Sequence, residues 1–202
     1  MGIYKAFRGK GGGSWLANLL VTEAKSRGDA ILFLEVIAQN LPAIHVYEKL
    51  GFVQIRRLVG FKVEQPAVSS QPNDDYPLLE SCKVEDIVSL IKNEGIETLP
   101  WQIDEVTLPR TGSFAFRRDD AFVAISDPTS PSNVIIINSV IVKKDERGKG
   151  KGRSILETLF RAYPGKTWKV PARFPEEVAG FFEKLGFQRE AISQYQMQFL
   201  LR

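Results

Sequence analysis

Two short basic segments rich in glycine contain the residues best suited to chemistry. One is RGKGGG, Arg8 to Gly13, and the other is RGKGKG, Arg147 to Gly152. Glycine lets a backbone adopt positive φ and approach an anion closely, and a helix N-terminus adds partial positive charge. The pattern therefore predicts a phosphate-binding turn in each segment, and a flexible basic turn is the alternative.

The glycines and the charges of each turn are expected to act together on a diphosphate. The spacing differs from the GxxxxGK[ST] loop of nucleoside triphosphatases and from the GxGxxG dinucleotide fingerprint. The residues assigned to the first turn are Arg8, Gly9, Lys10, Gly11, Gly12 and Gly13. Those assigned to the second turn are Arg147, Gly148, Lys149, Gly150, Lys151, Gly152 and Arg153.

Both turns belong to a longer internal repeat. YEKLGF at Tyr47–Phe52 recurs as FEKLGF at Phe182–Phe187, in each case downstream of its glycine-rich turn and at similar spacing. The duplicated unit is therefore roughly sixty residues long, which is longer than the repeats of solenoids.

Hydrophobic periodicity predicts the same elements in both copies, in the order helix, strand, helix, strand. The first copy predicts a helix over 14–28, a strand over 30–37, a helix over 41–50 and a strand over 52–61. The second copy predicts a helix over 153–163, a strand over 166–170, a helix over 175–185 and two strands over 187–193 and 194–201.

The stretch between the copies is not duplicated. It predicts a linker, a helix over 82–95, a hairpin that turns at Asp119-Asp120, and a buried strand over 134–142 that leads into the second turn. Asn138 and Ser139 interrupt that strand, either as a β-bulge or as hydrogen-bonded core positions. The element order predicts a mixed α/β fold.

In combination and order, these motifs resemble the GNAT (GCN5-related) N-acetyltransferase superfamily. Its acyl-CoA loop, R/Q-x-x-G-x-G/A, follows a strand that ends in valine, as Arg147–Gly152 follows Val142, and Arg8–Gly13 matches the loop as well. Its second signature is an asparagine and then a helix that ends in YEKLGF, which is similar to Asn40 and Tyr47–Phe52.

The resemblance implies a tandem GNAT fold with a truncated first copy. Residues 1–63 correspond to the C-terminal half of one domain, 64–77 to a linker, and 78–202 to a complete domain. The strands that precede the loop are missing from the first copy, either because the gene begins there or because Met1 is an internal methionine. A truncated sheet would leave an unpaired edge, which we expect the other domain or a partner to cover.

The resemblance also implies an enzyme that transfers an acetyl group from acetyl-CoA, its co-substrate, to an amine, with the pyrophosphate of acetyl-CoA bound at the second turn. Tyr47 would donate a proton to the departing thiolate, and Asn40 would contact the pantetheine arm. The second copy has Phe182 in place of the tyrosine and Pro175 in place of the asparagine, so it lacks this acid. Water could replace the acid at a cost of about a hundredfold in rate, and Tyr163 and Tyr195 are the other candidates.

Two further functions stay open beside acetyl transfer. A degenerate member of the family could bind acetyl-CoA without turnover or serve as a protein-interaction module. Phe182, which cannot donate a proton, favours this alternative. Nucleic-acid binding through the basic turns is weakest, because the net charge is only +3.

Composition gives the remaining expectations. A single cysteine, Cys82, excludes an intrachain disulfide and a cysteine-rich zinc site, so no metal is expected. The sequence has no apolar run long enough for a membrane span and no signal-peptide core, which predicts a cytoplasmic protein with no membrane or nucleic-acid partner. The resemblance implies an amine-bearing small molecule or peptide as the acceptor, and a homo-oligomer stays open.

Overall fold

A computed structural model describes residues 2–64, 66, 79–94 and 99–201. The predicted linker over 64–77 lies outside the described residues, except for its positions 64 and 66. The helices are α1 (Gly12–Arg27), α2 (Leu41–Lys49), α3 (Val84–Asn93), α4 (Lys151–Ala162) and α5 (Ala179–Glu183). The strands are β1 (Ile31–Ile37), β2 (Val53–Glu64), β3 (Glu80–Cys82), β4 (Phe114–Arg118), β5 (Ala121–Ile125), β6 (Val134–Val142), β7 (Thr167–Pro175) and β8 (Gln188–Leu200).

The strands form one mixed sheet in the order β1-β8-β2-β7-β6-β5-β4-β3. A mixed sheet with helices agrees with the predicted mixed α/β fold. The chain divides into two compact units. The first comprises Met1–Leu58 and Ile192–Arg202, and the second comprises Val59–Ala191. No described helix combines the length and the hydrophobicity that a membrane crossing needs.

The prediction of two strands over 187–193 and 194–201 was wrong. Residues Gln188–Leu200 form the single strand β8, and no residue in it has a positive φ. The segment contains neither glycine nor proline, so nothing interrupts the extended backbone where a hairpin would have to turn.

In the first unit, α1 and α2 enclose a small core with β1 and β8. Antiparallel pairing of these strands runs from Ile31 opposite Leu200 to Ile37 opposite Gln194. Helix α1 ends where Gly28, with φ 77°, donates its N–H to the carbonyl of Ala24 or Lys25, the geometry of a glycine C-cap. The buried side chains of this core are Val36, Phe52 and Met197.

In the second unit, side chains pack on both faces of the strands. The larger cluster includes Ile155, Leu156, Leu159 and Phe160, which form one face of α4. Helix α3 contributes Ile87 and Ile91 to a separate cluster. This two-layered packing around β4–β7 gives the glycine-rich turn between β6 and α4 a rigid base.

Candidate functional site

The two glycine-rich turns have the same backbone conformation. Gly9 and Gly148 have φ of 76° and 78°, and Gly11 and Gly150 both have φ of 79°. Side chains other than glycine rarely adopt this left-handed region, which explains why glycine stands at both positions. The predicted turns at the starts of α1 and α4 are therefore confirmed as local structures.

The leading arginine of each turn fastens the turn to the residues before it. Arg8 Nε donates to the carbonyl oxygen of Ile3 at 3.0 Å, and Arg147 Nε donates to that of Val142 at 3.0 Å. The Arg147 guanidinium also lies 3.6 Å from the carboxylate of Glu94. Part of the charge that the sequence assigned to a diphosphate thus stabilises the turn.

Both turns leave backbone N–H groups unbonded at a helix start. The first intrahelical bonds are donated by Trp15 N to Gly11 O at 3.0 Å and by Ser154 N to Gly150 O at 2.9 Å. Neither cap residue supplies a side-chain hydrogen bond. The N–H groups of the first three residues of α1 and α4 therefore have no acceptor within their helix and could bind the oxygens of an anion.

The lysines of the second turn are paired with two carboxylates, Asp120 and Glu146, which we call the acidic pair. Lys149 Nζ lies 3.0 Å from Glu146. Lys151 Nζ lies 2.7 Å from Glu146 and 2.6 Å from Asp120, and Lys143 Nζ lies 2.8 Å from Asp120. Hydrogen bonds from Lys143 and Lys151 lower the pKa of Asp120 to about 2. The acidic pair thus neutralises lysines that the sequence had assigned to a diphosphate.

Within the part of the chain that the structure describes, the first turn has no such ion pairs. The ammonium of Lys10 lies 5.7 Å from the centre of the Phe7 ring, so an aromatic ring stands where the second copy has Glu146. Gly12 stands where the second copy has Lys151, and the sequence has no acidic residue before Glu23. The cationic charge of the first turn is therefore not balanced by neighbouring carboxylates in the sequence.

We predict that Asp120→Asn flattens the dependence of stability on pH between about 4 and about 2. A carboxyl whose pKa is lowered in the folded state stabilises the protein above its ordinary pKa, and this contribution is lost as the pH falls through the folded value. Urea unfolding at several pH values would measure it. The control is Asp119→Asn, because Asp119 forms no ion pair among the described residues. Equal slopes for Asp120→Asn and the original chain would contradict the pairing.

Asn40 and Tyr47 lie on α2 in the first unit. Asn40 caps the helix, since its Oδ1 accepts a hydrogen bond from Ala43 N at 3.4 Å. The half-buried Tyr47 ring packs edge-to-face on Phe52 at 5.9 Å. Burial raises the pKa of Tyr47, and its hydroxyl has no hydrogen-bond partner within the described part of the chain. Tyr47 is therefore a protonated hydroxyl that is available to donate.

The equivalent position in the second unit is a core residue. Phe182 is 1% exposed, and its ring packs edge-to-face on Phe187 at 5.6 Å, as Tyr47 packs on Phe52. The backbone also repeats, because Phe52 N donates to Tyr47 O at 3.0 Å and Phe187 N to Phe182 O at 3.2 Å. Pro175, which replaces the asparagine, ends β7. The second copy keeps the shape of the motif and lacks its hydroxyl.

Asn138 lies at a β-bulge and also forms hydrogen bonds in the core. The sequence had left these as alternatives, and both apply to this residue. The register between β5 and β6 shifts so that Ala124 faces Ser139 while Ile125 faces Ile137. Asn138 Nδ2 donates to Ser113 Oγ at 2.8 Å, and its Oδ1 accepts from the Arg173 guanidinium.

Arg173 was missed by the sequence analysis, as were Asp120 and Glu146 as partners of the turn. Asn138 and Arg173 lie on β6 and β7, whose parallel pairing runs from Val134 opposite Thr167 to Ile136 opposite Lys169. Their hydrogen bond joins the two strands beyond this paired stretch. No local sequence signal could reveal it, because the residues are 35 positions apart.

Among the described residues, no three or more His, Cys, Asp or Glu side chains are grouped so that they could hold a metal ion.

Comparison with known proteins agrees with this geometry. Residues 1–52, which contain the first turn and Tyr47, match the model of the Acetyltransferase (GNAT) family. Over 53 residues the chain is 42% identical to the uncharacterized N-acetyltransferase YobR of Bacillus subtilis (strain 168), a match that covers 26% of this chain and 22% of YobR.

Solved structures share the fold along almost the whole chain. A GCN5-related N-acetyltransferase from Anabaena variabilis matches with a TM-score of 0.65 and 16% identity, over 100% of this chain and 54% of its own. A putative acetyltransferase from Pyrococcus horikoshii matches with a TM-score of 0.62 and 16% identity, over 100% of this chain and 64% of its own. A tandem GNAT protein from the clavulanic acid biosynthesis pathway matches with a TM-score of 0.60 and 14% identity, over 99% of this chain and 73% of its own. The fold is that of GNAT acetyltransferases, and the family model matches residues 1–52 of the chain.

Proposed function

We propose that the protein is an acyl-CoA-dependent N-acetyltransferase, with acetyl-CoA as donor and a primary amine as acceptor. The observation that carries this proposal is the combination, in the first unit, of a cationic glycine turn that forms no ion pair among the described residues and the half-buried Tyr47. The family match covers both features. A division into half-domain 1–63 and complete domain 78–202, and a cytoplasmic location, go with this proposal.

The charges favour the first turn as the site for the diphosphate of the donor. Sequence analysis had placed the diphosphate at the second turn, which follows a complete set of strands. There, however, Lys149 and Lys151 already form ion pairs, and a diphosphate would approach the acidic pair. In the first turn the same backbone conformation carries Arg8 and Lys10, which form no ion pair with any carboxylate of the described residues, so the turn favours an anion.

The chemistry requires one bond to form and one to break. The neutral amine attacks the thioester carbonyl, the C–N bond forms, and the C–S bond breaks as the thiolate leaves. An alkyl amine has a pKa of about 10.4, so its proton must pass to solvent or to a base. The Tyr47 hydroxyl protonates the thiolate, and the phenolate is then reprotonated from water. Asn40, at the start of the same helix, would contact the pantetheine arm.

Calorimetric titration with acetyl-CoA tests the proposal and the choice of turn. We predict one molecule bound per chain, a dissociation constant at least tenfold higher in Gly11→Val, and an unchanged constant in Gly150→Val. The two variants are matched, because both glycines have φ of 79° and no atom within 4 Å of an added Cβ. The backbone strain of the substitution is therefore the same.

Two other results would redirect the assignment. Loss of binding in Gly150→Val alone would place the donor in the second unit. Absence of binding to the original chain at millimolar acetyl-CoA would favour the alternative, a protein-interaction module without turnover, which the buried Phe182 and the neutralised second turn support.

A further inference from the structure

Strand β8 belongs to the second sequence copy, yet most of it lies in the first unit. Residues Ile192–Arg202 are grouped with Met1–Leu58, and β8 pairs with β1 in regular register, with Phe199 opposite Leu32. Met197 is one of the buried side chains of the first core, and Phe199 packs against the same cluster. The core against which Tyr47 packs is therefore completed by side chains from the other copy.

The Phe199 ring lies against the turn that follows α2. Its centre is 5.3 Å from that of Phe52. A Cβ added to Gly51 would lie 2.9 Å from Phe199 Cε2, a distance too short for two carbon atoms that are not bonded. Phe52 in turn packs edge-to-face with Tyr47, whose ring centre is 5.9 Å away. The three rings thus form a chain of contacts that runs from β8 to Tyr47.

Phe199 also contacts helix α1, which begins at the first glycine-rich turn. The ammonium of Lys25 lies 5.9 Å from the centre of the Phe199 ring, a cation–π contact. One aromatic side chain of β8 therefore touches α1, which carries the turn, and the segment that holds Tyr47. Closely packed side chains transmit strain, so loss of this ring would displace Phe52 and Tyr47.

The second unit lacks this contact. Gly186 stands at the same position of the motif as Gly51 and has a similar φ, 84° against 96°. Among the described residues, no heavy atom beyond the chain neighbours would lie within 4 Å of a Cβ added at Gly186. Phe182, which replaces Tyr47, is instead stacked on Phe61 at 5.3 Å. A ring against the glycine thus accompanies the tyrosine and not the phenylalanine.

We propose that Phe199 is a positioning residue for acetyl transfer, which holds the Tyr47 hydroxyl in place through Phe52. A general acid contributes while its proton lies within hydrogen-bonding reach of the departing atom, so freedom of the Tyr47 ring would reduce its contribution. This role rests on the proposed function, because it requires Tyr47 to be the acid. The second copy, which lacks the hydroxyl, thereby supplies part of the site of the first copy.

Phe199→Ala is the variant that tests this role. We expect transfer at saturating acetyl-CoA and amine to slow about tenfold. The dissociation constant of acetyl-CoA should stay within about twofold, because the glycine-rich turn lies at the opposite end of α1 from Lys25. Phe199→Tyr keeps an aromatic ring at this position and should restore the rate to within about twofold of the original chain.

A double variant separates positioning from a loss of stability. If Phe199 acts through the Tyr47 hydroxyl, Tyr47→Phe combined with Phe199→Ala should match the rate of Tyr47→Phe alone within about twofold. Leu156→Ala, which removes a buried side chain of the second unit, is the control for destabilisation. We expect this control to lower the free energy of unfolding without slowing transfer. Circular dichroism would show that each variant is folded at the assay temperature.

A titration of tyrosine absorbance tests the contact without any acetyl transfer. The difference between the original chain and Tyr47→Phe gives the pKa of Tyr47, and the difference between Phe199→Ala and the double variant gives it without the Phe199 ring. Burial raises the pKa of Tyr47. Removal of the ring admits water, so in Phe199→Ala this pKa should fall towards the ordinary value of about 10.

The results that contradict this role differ from those that contradict acetyl transfer. A loss of about a hundredfold in Tyr47→Phe with an unchanged rate in Phe199→Ala would overturn the role of Phe199 and leave the proposed function intact. Additive losses in the double variant, or an equal loss in Leu156→Ala, would show that the ring contributes stability alone and would also overturn it. An unshifted pKa of Tyr47 in Phe199→Ala would overturn it even if no amine were acetylated, a result that would separately reject the proposed function.

Discussion

Replacing Phe182 with alanine is expected to lower the free energy of unfolding by about 3–5 kcal/mol. The side chain is 1% exposed, so its removal leaves a cavity in the larger core of the second unit. Urea unfolding at pH 7 would measure the loss. The aromatic rings that surround it are those of Phe61, Phe174, Phe181 and Phe187.

The repeat provides matched controls for this change. Tyr47→Ala removes the equivalent ring of the first unit and should cost less, because Tyr47 is only half-buried. Phe182→Tyr restores the residue of the first copy but places a hydroxyl in an apolar core, at a cost of about 1–3 kcal/mol. We expect no gain of transfer activity from it. A free energy of unfolding for Phe182→Ala that is lower by only about 1 kcal/mol, the effect of a typical point mutation, would contradict the role of this ring.

Replacing Tyr47 with phenylalanine is expected to slow acetyl transfer by about a hundredfold, the usual contribution of a general acid. The dissociation constant of acetyl-CoA should stay within about twofold, because phenylalanine keeps the packing on Phe52 and loses only the hydroxyl. Release of the CoA thiol with a panel of primary amines would give the rate, and calorimetry the affinity.

The pH dependence follows from the burial of Tyr47. Burial raises its pKa above the ordinary value of about 10. The hydroxyl therefore remains protonated through neutral and mildly alkaline pH, and loss of the acid should begin only as the pH rises towards the raised pKa. Between pH 7 and 9 the rate should increase as the amine loses its proton, in the original chain and in Tyr47→Phe alike.

Tyr195→Phe is the comparison variant, because Tyr195 packs against the same core of the first unit and is one of the other candidate acids named from the sequence. We expect less than a twofold change in rate from it. An equal loss in both variants would indicate a general effect of packing. An unchanged rate in Tyr47→Phe would point to water as the proton donor.

The sequence by itself determined the local geometry of both turns and of the YEKLGF motif. Gly9, Gly11, Gly148 and Gly150 adopt the positive φ that glycine permits. The helices that follow begin at Gly12 and Lys151, two residues before the predicted starts at 14 and 153. Such features depend on backbone preferences within a few residues, so they can be recognised from a short stretch of sequence.

The tertiary structure alone decided how the two copies differ in charge and in burial. The sequence analysis assigned the charge of Lys151 to a diphosphate. In the structure, a hairpin brings Asp120, 31 positions away, to 2.6 Å from the Lys151 ammonium. Phe182 is buried among rings from β2, β7 and its own helix, whereas Tyr47 keeps an available hydroxyl. Charge pairing and burial arise between segments that are distant in the chain, and a motif read in one copy cannot show which segments meet.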